Sequence, residues 1–249
     1  MKVRSRLSSQ LAFILLCGFL GTAAAQGELP EPESDVWQFT VAPLYLWAVG
    51  IDGSIGVGPV TAPVNITFDD ALSNLSGAFT LHVEARKKKW NVLADYMWVG
   101  LSPSASLPTG TPVNVDLDMQ IGELGGTYLL TDSSPYVEIL AGVRYQSVDL
   151  TAPPTPVSVD DSWADGFVGA RITGQWGNWK VVGRGDVGGG GSNLVWNVSL
   201  FGDYRFKKWG SVFAGYRVLD YDYSSGSGAS RFVFDVRMQG PLLGLAFYF

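Results

Sequence analysis

Cysteine occurs once in the 249 residues, at Cys17, and histidine once, at His82. A lone cysteine excludes a disulfide framework, and one histidine with no cysteine beyond position 17 argues against a transition-metal centre. No metal and no cofactor are therefore expected. Long apolar runs are also missing: after Leu11 to Leu20, nothing approaches the roughly 18 residues of a spanning helix. Basic charge is scarce as well. The chain has 17 Lys and Arg against 23 Asp and Glu, and an excess of acid speaks against nucleic acid as a partner.

The N-terminus accounts for part of the basic charge. Lys2, Arg4 and Arg6 precede the apolar run, and the small residues Thr22-Ala23-Ala24-Ala25 follow it. This is the layout of a secretory signal peptide, so 1–25 is expected to be removed. The run is short for a retained anchor, and lipoprotein processing at Cys17 would need a small residue where Leu16 stands. The mature chain then has no cysteine and 14 basic against 23 acidic residues, about −9. Residues 26–35 read as a polar periplasmic lead and 36–249 as the folded unit.

What the chain has is 31 glycines with 9 Trp, 10 Tyr and 13 Phe, a composition suited to strands and turns. Period-two alternation predicts strands at about 36–49, 76–87, 90–102, 113–130, 135–149, 164–176, 179–188, 193–206, 210–223 and 231–249. Their connectors alternate in length. Lys87-Lys88-Lys89, 131–134, Gly177-Asn178 and Lys207-Lys208 are tight turns, whereas 51–75, 102–112 and 150–163 are long. Short turns on one side and long loops on the other imply an all-β fold, a closed antiparallel transmembrane β-barrel of about ten strands, with eight or twelve as alternatives. An even count puts both termini at the short-turn, periplasmic end. Within the first long loop, Asp69 to Leu75 suits one helical turn.

Alternation also assigns faces. Phe79, Leu81, Val83 and Ala85 share one face of the second strand, and Thr80, His82, Glu84 and Arg86 the other. A soluble sandwich would bury the first set, whereas a barrel in lipid exposes it. Trp37, Trp90, Trp176, Trp179 and Trp209 fall at turn ends of strands, and Trp47, Trp98, Trp196 and Tyr223 at loop ends, predicting two aromatic girdles. In the last strand Leu243, Leu245, Phe247 and Phe249 share a parity with Asp235, Arg237 and Gln239. An exchange of inside and outside is therefore expected at Gly240-Pro241. The terminal Phe249 resembles the signal read by the outer-membrane barrel assembly machinery.

Gly183, Gly185 and Gly188 spell G-x-G-x-x-G, and Arg184-Gly185-Asp186 spells an adhesion tripeptide. A dinucleotide fingerprint needs a helix to begin there. Here the segment alternates as a strand, with Lys180, Val182, Arg184 and Asp186 on one face, and a short glycine loop at 188–191 leads into another strand. No nucleotide is expected, and Arg184 and Asp186 read as interior polar residues.

Several phrases combine: Tyr45-Leu46-Trp47-Ala48 with Gly50, Asp52 and Gly53; Glu84-Ala85-Arg86; Gly142-Val143-Arg144-Tyr145; GRGDVGG at 183–189; Phe213-Ala214-Gly215-Tyr216-Arg217 with Leu219-Asp220; and Gly240-Pro241 with Gly244 and Phe249. As an ordered set spanning nearly all of the mature chain, they resemble a family of bacterial outer-membrane β-barrel proteins without an assigned activity. The resemblance implies fold and location and supplies no catalytic residues.

By parity the lumen is expected to receive His82, Glu84, Arg86, Asp95, Asp116, Asp118, Glu138, Arg144, Asp165, Arg171, Arg184, Asp186, Asp203, Arg205, Arg217, Asp235 and Arg237. Glu123 falls toward lipid by strict alternation, so a bulge near Gly122 is expected to turn it inward. Seven arginines against nine carboxylates suit a salt-bridged plug and a structural or ligand-contacting barrel, not an enzyme. A narrow passive channel is the alternative. A third reading follows from barrel enzymes that use histidine with carboxylates or serine, since His82 has Glu84 two residues on and Asp95 across the hairpin. Its mid-wall position favours a satisfied lumen histidine.

Overall fold

The structure, a computed structural model, describes residues 34–106, 112–155 and 157–249. The expected leader and most of the lead lie outside the described residues. The first wall strand comes in three pieces, β1 (Gln38–Pro43), β2 (Leu46–Trp47) and β3 (Gly50–Val57), and β3 folds back as β4 (Val60–Ile66). After helix α1 (Phe68–Ser73) come β5 (Leu75–Lys87), β6 (Trp90–Leu101), the short pair β7 (Ser104–Ser106) and β8 (Pro112–Asn114), then β9 (Asp116–Leu129) and β10 (Tyr136–Thr151). The wall continues with β11 (Ser158–Trp176), β12 (Trp179–Gly190), β13 (Leu194–Lys207), β14 (Gly210–Ser225) and β15 (Phe232–Tyr248). Every neighbouring pair is antiparallel, and β1 pairs with both β5 and β15, so a ten-stranded barrel closes. Phe39 and Phe249 exchange two backbone hydrogen bonds of 3.0 Å at this seam. The first long loop is mostly ordered as β3, β4 and α1 rather than irregular chain, and β12 runs through Gly190, shortening the expected glycine loop.

Strand length sets the rest of the architecture. β11 has 19 residues, β15 has 17, and β10 and β14 have 16 each, whereas a tilted strand crosses hydrocarbon in about 9–11. The barrel is therefore taller than a bilayer and its wall has two zones. In the lower zone, toward the turns and termini, Leu124, Val143, Val168, Ile172, Leu200 and Leu243 point outward and are more than half exposed. Such a continuous apolar exterior is stable against lipid tails, not against water. Aromatics ring its lower margin: Trp90 meets Tyr128 at 4.8 Å, Trp179 meets Tyr204 at 4.9 Å, and Trp209 stacks on Phe247 at 5.9 Å.

Above the belt the alternation inverts, because water now faces the outer wall and the apolar side must turn inward. Asp116, Asp118, Asp235 and Arg237 project outward there, correcting their expected place in the lumen. Asp116 accepts from Ser102 and Asp118 from the Trp98 indole, while Arg237 donates to Asp220 at 2.8 Å. Their inward neighbours Leu117, Met119, Ile121, Phe234, Val236 and Met238 are at most 5 % exposed. Trp47 and Tyr223 also point inward, so the upper margin is marked by Trp98, Trp196, Tyr145 and Tyr216 instead. Glu123 shares the inward parity of Leu117 to Ile121 with no bulge: its strand is in continuous register with β6 and β10.

The exchange of faces expected at Gly240-Pro241 is absent, because Asp235, Arg237, Leu243 and Leu245 all face outward; a separate exchange lies in the first strand. β15 alternates without interruption. Against it, Thr40 pairs with Tyr248 but Leu46 pairs with Leu243, so one extra residue is inserted between Val41 and Leu46. Leu44, at φ 56°, makes this kink, and inward parity passes from Thr40 and Ala42 to Tyr45 and Trp47. Gly240 serves a different need: a side chain there would collide with the carbonyl of Ala48, just after β2. Helix α1 is held by a reciprocal capping box, with Asp70 N donating to Thr67 Oγ1 and Thr67 N to an Asp70 carboxylate oxygen, each at 3.2 Å. Its Ala71 is buried in the upper apolar core.

Candidate functional site

The lumen is stacked in three layers, each produced by the alternation of the strands around it. The uppermost is the apolar core. Trp163 of β11 lies parallel to Tyr223 at 3.7 Å and edge-on to Phe234 at 5.6 Å and Tyr221 at 5.8 Å. Met97, Val148, Val195, Leu219 and Met238 fill the space around them.

The middle layer is a charged lattice. Glu123, with its side chain fully buried, accepts hydrogen bonds from three arginines: Arg144 at 3.0 Å, Arg184 at 2.8 Å and Arg217 at 2.6 Å. Asp186 accepts from Arg144 and Arg184, each at 2.8 Å, and from Asn197 at 2.9 Å. Asn197 in turn accepts from Arg217. Phe167 lies below two guanidinium groups, those of Arg144 at 4.9 Å and Arg184 at 5.3 Å. Arg184 and Asp186, two apart on one face of β12, are thus neighbours inside the barrel and not an exposed tripeptide.

A second part of the lattice runs down the β5–β11 side. His82 lies between Asp95, 3.0 Å from Nδ1, and Glu84, 3.1 Å from Nε2. Arg171 donates to Glu84 at 2.6 Å and to both oxygens of Glu138, at 2.7 and 3.2 Å. Arg86 and Thr127 also donate to Glu138. Tyr45 donates to Asp95 at 2.8 Å, and Arg217 lies 4.0 Å from the same carboxylate, linking the two parts. Both imidazole nitrogens are engaged by carboxylates, and among the described residues no serine hydroxyl bonds to either, so His82 is held as a member of the lattice.

Below the lattice is a cavity of about 400 Å³, lined near its mouth by Gln38, Tyr136, Gln175, Lys180, Arg205, Lys208 and Phe249. Asp203 accepts from Tyr248 at 2.9 Å and lies 3.4 Å from the Lys180 amine. Of the expected lumen residues, His82, Glu84, Arg86, Asp95, Glu138, Arg144, Arg171, Arg184, Asp186 and Arg217 come together in the lattice, and Asp203 and Arg205 sit near the mouth. Asp165 is also inward but separate, capping the β12–β13 turn through Ser192. Sequence reasoning missed the apolar core, Tyr45 and Asn197. The alternation of Leu117, Met119 and Ile121 with Asp116, Asp118 and Gln120 was the available signal for the core.

No family model matches the sequence, and no curated protein matches it. Among solved structures, the fold is similar to the outer-membrane protease OmpT from Escherichia coli, with a TM-score of 0.53 and 8 % identity, covering 90 % of this chain and 100 % of that one. It is also similar to the translocator domain of the autotransporter NalP from Neisseria meningitidis, with a TM-score of 0.47 and 11 % identity over 87 % of this chain and 90 % of that one. The attachment invasion locus protein Ail of Yersinia pestis follows, at a TM-score of 0.36 and 12 % identity, covering 86 % and 97 %. The OmpT likeness agrees with the closed antiparallel barrel, and at such identities it concerns the fold alone.

Proposed function

We propose that this chain is an integral protein of the bacterial outer membrane that works as a closed binding barrel, sealed toward the cell exterior and accessible from the periplasm. The observation that carries this reading is the double closure of the lumen. Crossing it would require breaking a lattice in which Glu123 alone holds three arginines, and then opening an apolar core. Ions are poorly stabilised in such a core. The passive-channel reading lacks a continuous polar path, and the enzyme reading lacks a free histidine nitrogen. Export by removal of 1–25 and assembly through the strand ending at Phe249 complete the proposal, with outer-membrane lipid as the surrounding partner.

The mature chain, free of cysteine, allows a direct test of sidedness. In reconstituted vesicles of known orientation, Thr40→Cys in the cavity should react with a membrane-impermeant thiol reagent only from the terminal side. Val195→Cys in the apolar core should resist reagent from both sides. Labelling of Thr40→Cys from the loop side would refute closure.

A further inference from the structure

From the uneven walls of the lower cavity, we infer that it binds a small amphipathic anion, an apolar body carrying one carboxylate or similar acidic group; this rests on the sealed-barrel reading. One side of the cavity is the charged face of β5, β6 and β9–β11, where Glu84, Glu138 and Asp95 are already bound to arginine, histidine or tyrosine. Those groups offer a ligand little unspent charge. The opposite side carries an apolar patch, Val182, Phe201, Phe213, Leu242 and Ala246, with Phe201 and Phe213 at 5.8 Å, set between the lattice arginines Arg184 and Arg217 and the mouth. A fully polar solute would leave this half of its surface unpaired, whereas an apolar body buries against it.

The mouth supplies the charge preference. Lys180, Arg205 and Lys208 line it, with the Asp203 carboxylate 3.4 Å from the Lys180 amine. Among the described residues, Arg205 has no carboxylate partner. Its Nε and one amino group donate to the turn carbonyls of Lys207 and Lys208, and its other amino group has no hydrogen-bond partner although the residue is only 5 % exposed. A buried guanidinium with an unused donor is costly unless an acceptor reaches it. An anionic head group at the mouth, with its tail against Phe201 and Phe213, would supply one. The cavity, at about 400 Å³, is within the usual range for small-molecule sites.

The test is calorimetric titration of the full mature protein in lipid nanodiscs with octanoate, octyltrimethylammonium and octan-1-ol, with empty nanodiscs subtracted. Saturable one-to-one binding of octanoate is expected, weakened about tenfold or more by Arg205→Gln and abolished by Ala246→Phe, which fills the apolar side. Lys180→Gln, whose amine bonds Tyr248 and Asp203 and not the turn carbonyls that Arg205 braces, should also weaken octanoate, which keeps the test informative if Arg205→Gln misfolds. Equal binding of the cationic and anionic probes, no saturable octanoate binding, or unchanged octanoate affinity in both folded charge variants would overturn the inference. Conductance and thiol labelling of the same preparation report on closure separately, so a sealed barrel that ignores octanoate would refute only the ligand class.

Discussion

Replacing Glu123 by glutamine removes one negative charge from a fully buried side chain. The side chains of Glu123 and Arg144 are fully buried, and those of Arg184 and Arg217 nearly so. In the wild type, Arg144, Arg184 and Arg217 face Glu123 and Asp186, with Asp95 4.0 Å from Arg217. After the change, Asp186 and Asp95 alone would balance three guanidinium groups, and the amide would turn a donor toward at least one of them. Breaking a buried ion pair by deleting one partner costs about 3–5 kcal/mol. Because three arginines lose the same partner, Glu123→Gln should fall at the upper end of that range. The assay is reversible urea unfolding in lipid vesicles, followed by tryptophan fluorescence and the heat-dependent gel shift of folded barrels. A loss below about 1 kcal/mol, the scale of an exposed pair, would refute the claim that the lattice is dry and mutually dependent. Glu123→Gln should still not conduct, because the apolar core above it is untouched.

Other consequences follow from the two-zone wall. Val168→Arg, on the exposed belt, should destabilise the folded state by about 2–4 kcal/mol, whereas Asp235→Ala on the upper outer surface should change it by less than about 0.5 kcal/mol; equal effects would refute the boundary. Phe234→Ala, deep in the upper core, should cost about 3–5 kcal/mol by the same unfolding assay. Single-tryptophan variants retaining Trp209 should be quenched by brominated lipid and those retaining Trp163 should not. In the loop helix, hydrogen bonds from Thr67 hold the Asp70 carboxyl below its ordinary value of 3.8. Its stabilising contribution is therefore present above about pH 4 and lost as pH falls through the lowered value. Carboxyl NMR titration should show this depression in the wild type and its relief in Thr67→Ala.

The wall was largely legible in sequence because alternation, tight turns and aromatic placement each depend on local chemistry. Strand β5 shows this, with Leu81 and Val83 outward and His82 and Glu84 inward. The height of the barrel was not legible from alternation alone. Asp116, Asp118, Asp235 and Arg237 look like lumen residues if every polar face is taken to point inward, but that rule holds only where lipid is outside. The 19-residue length of β11, against the 9–11 or so that a membrane needs, carries the missing information. Glu123 follows the same logic: its inward course needs no bulge once Leu117 to Ile121 are recognised as inward. The face exchange expected in β15 rested on the same rule, with Gly240-Pro241 as the disruption to host it, and is absent; the exchange in the first strand was not read from sequence. A Leu44 at φ 56° has no such signature. The lattice pairings join residues as far apart as Glu123 and Arg217, and only closure of the barrel brings these together.

Single-channel recording of the folded, refolding-verified mature protein in planar bilayers tests the closed-barrel account most directly. Silent membranes at both polarities, for the wild type and for Arg184→Ala, are the predicted result. Steady unitary currents from the wild type would contradict the double closure of the lumen.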